Sequence, residues 1–153
     1  MDFELILIEL NKNRIMTTYD ETIAFDNALG QLPESISQDD LRSLLLVFDD
    51  NCEHIEVMWG LIHAVEVYDD QSLVVAYLET VQSMVQNADS WALLIMGRLL
   101  NNESCRNILA EQLSIAEEPA KTVAISILDR ILAEGKRMLP SHALLVLNTV
   151  KGV

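Results

Sequence analysis

The sequence predicts an all-α protein of about nine helices that pair as antiparallel helical hairpins. Apolar residues recur at spacings of three and four, which is typical of helices, and no stretch sustains the alternation typical of strands. Only five glycines and three prolines interrupt the 153 residues, so the helices are separated by short connections of two to six residues. The architecture is predicted to be a HEAT- or armadillo-like α-solenoid or a compact helical bundle.

The first four helices are bounded by residues that stop or start helices. Gly30 and Pro33 end the second helix, and Ser37 caps the third, with Asp40 three residues later as in a capping box. An acidic turn at 49–51 separates the third helix from the fourth. The predicted ranges are 2–12, 18–32, 38–48 and 52–67.

The last five helices are bounded in the same way. A turn at 69–70 precedes the fifth helix, Asp89 is predicted to cap the sixth, and the asparagines 101–102 precede the seventh. Pro119 opens the eighth helix and Gly135 closes it. The predicted ranges are 71–87, 90–101, 103–115 and 119–135, followed by a short ninth helix that Pro140 starts. No domain boundary is visible, so one helical domain is predicted over residues 1–153.

A faint internal repeat suggests how two of these helices align. Trp59 and Trp91 lie 32 residues apart in the fourth and sixth helices, and Val123 lies 32 residues further on. Glu66 follows Trp59 by seven residues, and Arg98 follows Trp91 by seven. If the two helices are equivalent members of successive repeats, their apolar arcs face the same way. The spacing therefore predicts a half-buried ion pair between Glu66 and Arg98.

The motif His63-x-x-Glu66 has a structural and a chemical interpretation. The spacing would allow a shared metal ion or an acid–base pair, as in a small hydrolase. However, the chain has only three histidines and contains no His-Glu-x-x-His, Cys-x-x-Cys, P-loop or Gly-x-Ser-x-Gly motif. The sequence therefore predicts no enzyme, no catalytic or metal site and no cofactor. A structural role is predicted for Trp59, His63, Glu66, Trp91 and Arg98.

Charge is distributed very unevenly along the chain. It carries 24 acids and ten bases, and the segment 15–97 holds 15 of the acids but a single base, Arg42. The charge predicts neither nucleic acid nor an anionic membrane as a partner, because both bind basic surfaces. The acidic start of the chain, with Asp2 and Glu4, differs from a basic signal peptide, so a cytoplasmic location is predicted.

Two similar acidic turns are candidate contacts for a basic protein partner. In each, an aromatic residue is followed by two aspartates, at 48–50 and at 68–70. The acids could simply form a solvated rim that also caps helices. An excess of 14 negative charges nevertheless repels itself, and a cationic partner would turn that repulsion into attraction. The predicted contact residues are Asp49, Asp50, Glu53, Glu56, Tyr68, Asp69 and Asp70.

The stretch 48–66 resembles immunity protein family 30. The matching features are the turn Asp49-Asp50, then His54, the pair Met58-Trp59, and the run Leu61-Ile62-His63-x-x-Glu66. Trp91 and the helix end at 99–101 also fit, and the resemblance covers roughly residues 38–132. These are mostly helical bacterial proteins of polymorphic toxin and contact-dependent growth inhibition systems.

The resemblance implies that the chain binds and neutralises a cognate toxin, and it supplies no catalytic residue. Together with the acidic charge, it predicts a basic C-terminal toxin domain as the partner. Nucleases are one such class, because their clefts must be cationic to hold nucleic acid. The alternative interpretation is a HEAT-like adaptor or scaffold that binds another basic protein.

Overall fold

The computed structural model describes residues 2–152, and this part of the chain contains nine α-helices and no strand. The all-α prediction is confirmed, and the helices form a compact arrangement. In chain order they are α1 (Phe3–Asn13), α2 (Tyr19–Leu29), α3 (Gln38–Leu45), α4 (Ile55–Glu66), α5 (Asp70–Asn87), α6 (Asp89–Asn101), α7 (Glu103–Ser114), α8 (Ala120–Glu134) and α9 (Leu139–Lys151).

Four helices begin at a polar side chain that accepts a hydrogen bond from a backbone N–H one turn into the helix. Thr18 caps α2 in a capping box with Glu21, and Ser37 caps α3 as predicted. Asp69 caps α5, and Asn102 caps α7. Each such cap stabilises its helix by about 1 kcal/mol. These caps fix where the chain turns between helices.

The predicted cap at Asp89 is wrong. Asp89 is the first residue of α6, and the capping position is taken by Ala88, whose side chain cannot accept a hydrogen bond. The Asp89 carboxylate instead accepts two hydrogen bonds from the Arg130 guanidinium of α8, at 2.9 and 3.0 Å. This residue therefore joins two helices.

The helices pack in two rows. In one row α1 contacts α3, α3 contacts α5, α5 contacts α7, and α7 contacts α9. In the other row α2 contacts α4, side chains of α4 and α6 meet, and α6 contacts both α8 and α9. Contacts between successive helices join the two rows, most extensively those of α1 with α2 and of α8 with α9, and α5 also contacts α8. A HEAT-like classification of this arrangement stays a prediction.

The connecting loops meet at two ends of the molecule. At one end the Glu53 N–H donates to the Ile15 carbonyl at 2.8 Å, and the Asp50 N–H donates to the Asn87 carbonyl at 2.9 Å. At the other end the Tyr68 hydroxyl donates to the Pro33 carbonyl at 2.8 Å. The α3–α4 loop thus contacts the α1–α2 loop and the end of α5, and the α4–α5 loop contacts the α2–α3 loop.

Buried side chains from all nine helices form one apolar cluster. Tyr77 lies at its centre, fully buried, and its hydroxyl donates to the Ala92 carbonyl at 2.8 Å, which links α5 to α6. Burial raises the pKa of the Tyr77 phenol far above its ordinary value. Cys52 and Cys105 are both buried free thiols. Within residues 2–152, no helix has the length and hydropathy needed to cross a membrane.

Alkaline pH is expected to destabilise the fold through Cys105. Burial, reinforced by the Asp70 carboxylate, raises the pKa of the Cys105 thiol to about 12, against an ordinary 9.0. Above pH 9 the unfolded chain releases this proton while the folded chain retains it. The free energy of unfolding should therefore fall by up to about 1.4 kcal/mol per pH unit between pH 9 and 11. Urea titrations should show a shallower fall for Cys105→Ala, and equal slopes would contradict the prediction.

Candidate functional site

The acids predicted to contact a partner fall into two groups at the two ends of α4. We call Asp49, Asp50, Glu53 and Glu56 the first acidic patch, and Tyr68, Asp69 and Asp70 the second acidic patch. The 12 residues of α4 extend over about 18 Å and separate the two groups. The structure therefore divides the predicted site into two smaller surfaces.

Within the first acidic patch, Asp49 serves the fold. It is 5% exposed, and its carboxylate accepts from the Asn51 N–H at 2.8 Å and lies 3.5 Å from the Arg14 Nε. Its backbone carbonyl accepts from the Trp91 Nε1 at 3.2 Å. Because these groups are used internally, Asp49 is left out of the surface available to a partner.

Asp50 is exposed, but its carboxylate also makes hydrogen bonds within the fold. Its carboxylate accepts from the backbone N–H groups of Ser90 at 3.0 Å and Trp91 at 3.4 Å, at the beginning of α6. Asp50 thus supplies from the α3–α4 loop the cap that Ala88 cannot provide. Sequence reasoning missed this role because the two segments are 40 residues apart.

Glu53 and Glu56 are the acids of the first acidic patch whose carboxylates contact the rest of the chain least. Both are exposed, and no hydrogen bond to the Glu53 carboxylate is present in residues 2–152. The Glu56 carboxylate lies 2.9 Å from the His54 Nδ1. Its own backbone N–H, and then the His54 ring, hold the pKa of Glu56 below its ordinary value. Both side chains therefore present a carboxylate to solvent.

The second acidic patch combines caps and partly buried groups. The Asp69 carboxylate accepts from the Ser72 hydroxyl at 2.7 Å and the Ser72 N–H at 2.9 Å, which lowers the pKa of Asp69. Tyr68 is half-buried, with its hydroxyl bonded to Pro33, and burial raises its pKa. Asp70 is half-buried near Cys105.

The predicted ion pair between Glu66 and Arg98 is present. The Arg98 guanidinium donates to the Glu66 carboxylate twice, at 2.7 and 2.9 Å, and this pairing raises the pKa of Arg98. The side chains are 32% and 38% exposed, so the pair is half-buried. His63 is exposed, with its Nδ1 3.9 Å from Glu66. Glu66 is thus engaged by Arg98, which disfavours an acid–base role with His63.

The two tryptophans lie side by side. Trp91 is buried, whereas Trp59 is half-buried, and their ring centroids lie 6.2 Å apart at a steep angle. The Arg98 Cζ lies 5.3 Å from the centre of the Trp59 ring. The charged pair and the aromatic pair together hold α4 and α6 in register.

A groove beside Trp59 was not visible in the sequence. It lies between the α4–α6 pair and the α8–α9 pair and has a volume of about 470 Å³. Its polar lining includes Arg98 and Arg130, each of which is held by a carboxylate of the chain. No local motif indicates the groove, because it forms only when α8 and α9 pack against α6.

Comparison with protein families decides what kind of protein carries these features. No cluster of three or more His, Cys, Asp or Glu side chains suited to a metal ion occurs among the described residues. The model of immunity protein family 30 matches residues 12–109, which is more than half of the chain. The chain belongs to the immunity protein 30 family. No curated protein and no solved structure shows significant similarity to it.

Membership confirms the predicted resemblance and shifts its limits. The match begins at residue 12 rather than 38 and ends at 109 rather than 132. It contains both acidic patches and the Glu66–Arg98 pair, whereas α8 and α9 lie beyond it. An immunity protein implies a cognate toxin that it neutralises, and proteins of this family are typically inhibitors without catalytic activity. The prediction that the chain is not an enzyme is therefore confirmed by its family.

Proposed function

We propose that this immunity protein neutralises a cationic toxin domain, which its acidic patches attract and orient. The contact residues proposed are Asp50, Glu53, Glu56, Tyr68, Asp69 and Asp70. Nucleases are one toxin class with the required charge, since a cleft that binds phosphates is lined with basic residues. The proposal also takes residues 1–153 as one domain that acts in the cytoplasm.

The observation that carries this proposal is the uncompensated charge of the first two thirds of the chain. Residues 15–97 hold 15 acids, and their single base, Arg42, already pairs with Asp39 and Glu79. The arginines 14, 98 and 130 each neutralise one further acid of this segment. Glu53 and Glu56 have no arginine or lysine within 4 Å among residues 2–152. A field of this sign accelerates association with a basic partner.

Rescue of growth is the direct test of the function. The probe is a candidate toxin domain taken from the genes that neighbour this one, expressed from an inducible promoter with and without the immunity protein. We expect growth only when both are present, and we expect the purified pair to co-elute. Toxicity that persists with folded, abundant immunity protein would overturn the proposed function for that toxin.

Binding kinetics test the role of the charge. At low salt we expect fast association, and the rate should fall at least about tenfold between 50 and 500 mM NaCl because exposed charges are screened. The double variant Glu53→Lys/Glu56→Lys should associate about tenfold more slowly at 50 mM NaCl and depend less on salt. Stopped-flow fluorescence with a catalytically inactive toxin domain measures both quantities.

A matched variant controls for net charge. Glu111→Lys/Asp129→Lys changes the charge by the same amount on exposed positions of α7 and α8, outside both acidic patches. We expect its association rate to stay within about threefold of the unmodified protein. If both double variants slow association equally, the position of the charges does not matter, and the first acidic patch does not steer the toxin domain more than other acids do. If salt has no effect, the partner is not attracted by charge at all.

A further inference from the structure

The groove beside Trp59 has an apolar floor that is open to a partner. Leu93 and Leu94 of α6 line one side, and Ile131 and Leu139 line the other. Gly97 lies between them, and the nearest side-chain atom to a methyl group built there is the Leu139 Cδ1, at 3.6 Å. The lack of a side chain at Gly97 deepens the floor of the groove. Apolar surface of this kind is stabilised when another apolar group covers it.

Trp59 at the edge of the groove is held in place before any partner arrives. The Trp91 ring packs against it at 6.2 Å, and the Arg98 guanidinium lies 5.3 Å from its centre. Arg98 is itself fixed by two hydrogen bonds to Glu66. Tryptophan and arginine are enriched at the energetic centres of protein interfaces. A half-buried tryptophan with so little freedom loses little entropy on binding.

The charges around the groove indicate the chemistry of its occupant. Both of its arginines are already neutralised, Arg98 by Glu66 and Arg130 by Asp89. Glu134 lines the groove and forms no ion pair within 4 Å among residues 2–152, although its charge lies near enough to Arg130 to raise the pKa of that guanidinium after the larger effect of Asp89. Ser90 lines the other end and donates its N–H to Asp50, so the first acidic patch adjoins the groove. Counted with the partners of its arginines, the groove has two bases, Arg98 and Arg130, against three acids, Glu66, Asp89 and Glu134. The apolar floor therefore has a rim with one more acid than base.

We propose that this groove is the docking site for an apolar side chain of the toxin domain that is flanked by lysine or arginine. The apolar side chain covers Leu93, Leu94 and the Trp59 ring, and the basic neighbours approach Glu134 and the first acidic patch. This inference rests on the proposed function, because it assigns a position to the same partner. It moves the centre of the interface from the acidic loops to the face formed by α4, α6, α8 and α9.

A substitution on the floor tests the proposal. Leu93→Glu places a carboxylate where the partner's apolar group would lie, so we expect the Kd for the inactive toxin domain to rise at least about 30-fold. Leu145→Glu is the matched control, since Leu145 is an exposed leucine of α9 that does not line the groove. Its Kd should stay within about threefold. Circular dichroism and thermal melting establish that both variants are folded.

A second pair of variants tests the rim. Glu134→Lys reverses a charge of the groove, and Asp129→Lys reverses a charge on an exposed position of the same helix that does not line it. We expect Glu134→Lys to weaken binding about five- to tenfold and Asp129→Lys to change it less than threefold. Since both positions are exposed, the result does not depend on tolerance of the fold.

The outcomes separate this inference from the proposed function. If the unmodified protein neither binds nor protects against the toxin, the function itself fails. If it protects, while Leu93→Glu and Glu134→Lys bind as tightly as their controls, the groove assignment is overturned and the function stands. Light scattering tests one alternative occupant of the groove. If the unmodified protein is a dimer and Leu93→Glu makes it a monomer without weakening toxin binding, the groove binds a second copy of the chain, and the proposal is wrong.

Discussion

Replacing Trp91 by alanine is expected to lower the free energy of unfolding by about 3–5 kcal/mol. Trp91 is 6% exposed and packs between the Phe48 ring at 5.5 Å and the Trp59 ring at 6.2 Å. Its Nε1 donates to the Asp49 carbonyl, which would lose its partner. The loss is a large share of the 5–15 kcal/mol that stabilises a typical domain. Equilibrium urea denaturation followed by circular dichroism measures the change.

The matched variant for this prediction is Trp91→Phe. Phenylalanine keeps most of the apolar contact with Phe48 but loses the hydrogen bond to Asp49, so a smaller loss of about 1–2 kcal/mol is expected. A Trp91→Ala protein whose stability lies within 1 kcal/mol of the unmodified chain would show that this ring does not organise the core.

Asp49→Ala is expected to cost about 2–3 kcal/mol of stability and to leave toxin affinity nearly unchanged. The buried carboxylate accepts from the Asn51 N–H and lies against the Arg14 guanidinium, so removing it leaves the Asn51 N–H without an acceptor and Arg14 without its counter-ion. Its 5% exposure leaves little surface for a partner to contact. Urea denaturation gives the stability, and calorimetry at a temperature where the variant is fully folded gives the affinity.

Glu53→Ala provides the opposite pattern. The Glu53 side chain is exposed and makes no hydrogen bond among residues 2–152, so stability should change by less than about 0.5 kcal/mol while association with the toxin slows. If Asp49→Ala leaves stability intact but weakens toxin binding, the internal role assigned to this carboxylate is incorrect.

The features that the sequence predicted well depend on local spacing. Helical periodicity located the nine helices of residues 2–152, and the cap at Ser37 followed from the residue types alone. The Glu66–Arg98 pair was also predictable, because equal seven-residue offsets from Trp59 and Trp91 place both side chains at the same level of adjacent helices. Regular geometry within a helix carries such information reliably.

The features that the sequence did not predict depend on contacts between segments that are distant in the sequence. The pairing of Asp89 with Arg130 and the capping of α6 by Asp50 join residues about 40 positions apart, and each replaced a local interpretation. The groove depends on where α8 and α9 pack. An aspartate near the beginning of a helix looks the same in sequence whether it caps that helix, pairs with an arginine or remains exposed for a partner protein. Only tertiary packing distinguishes these roles.

Some of the acids stabilise the fold and others are only exposed, and this difference affects how the specificity for a toxin can evolve. Asp49 and Asp50 are tied into the fold, so mutations there would be removed by selection for stability whatever the toxin. The carboxylates of Glu53 and Glu134 make no hydrogen bond and no ion pair within residues 2–152, and these exposed side chains can change type or sign at little cost to folding. A lineage could therefore follow a diverging toxin by exchanging these two side chains while the helical scaffold stays the same.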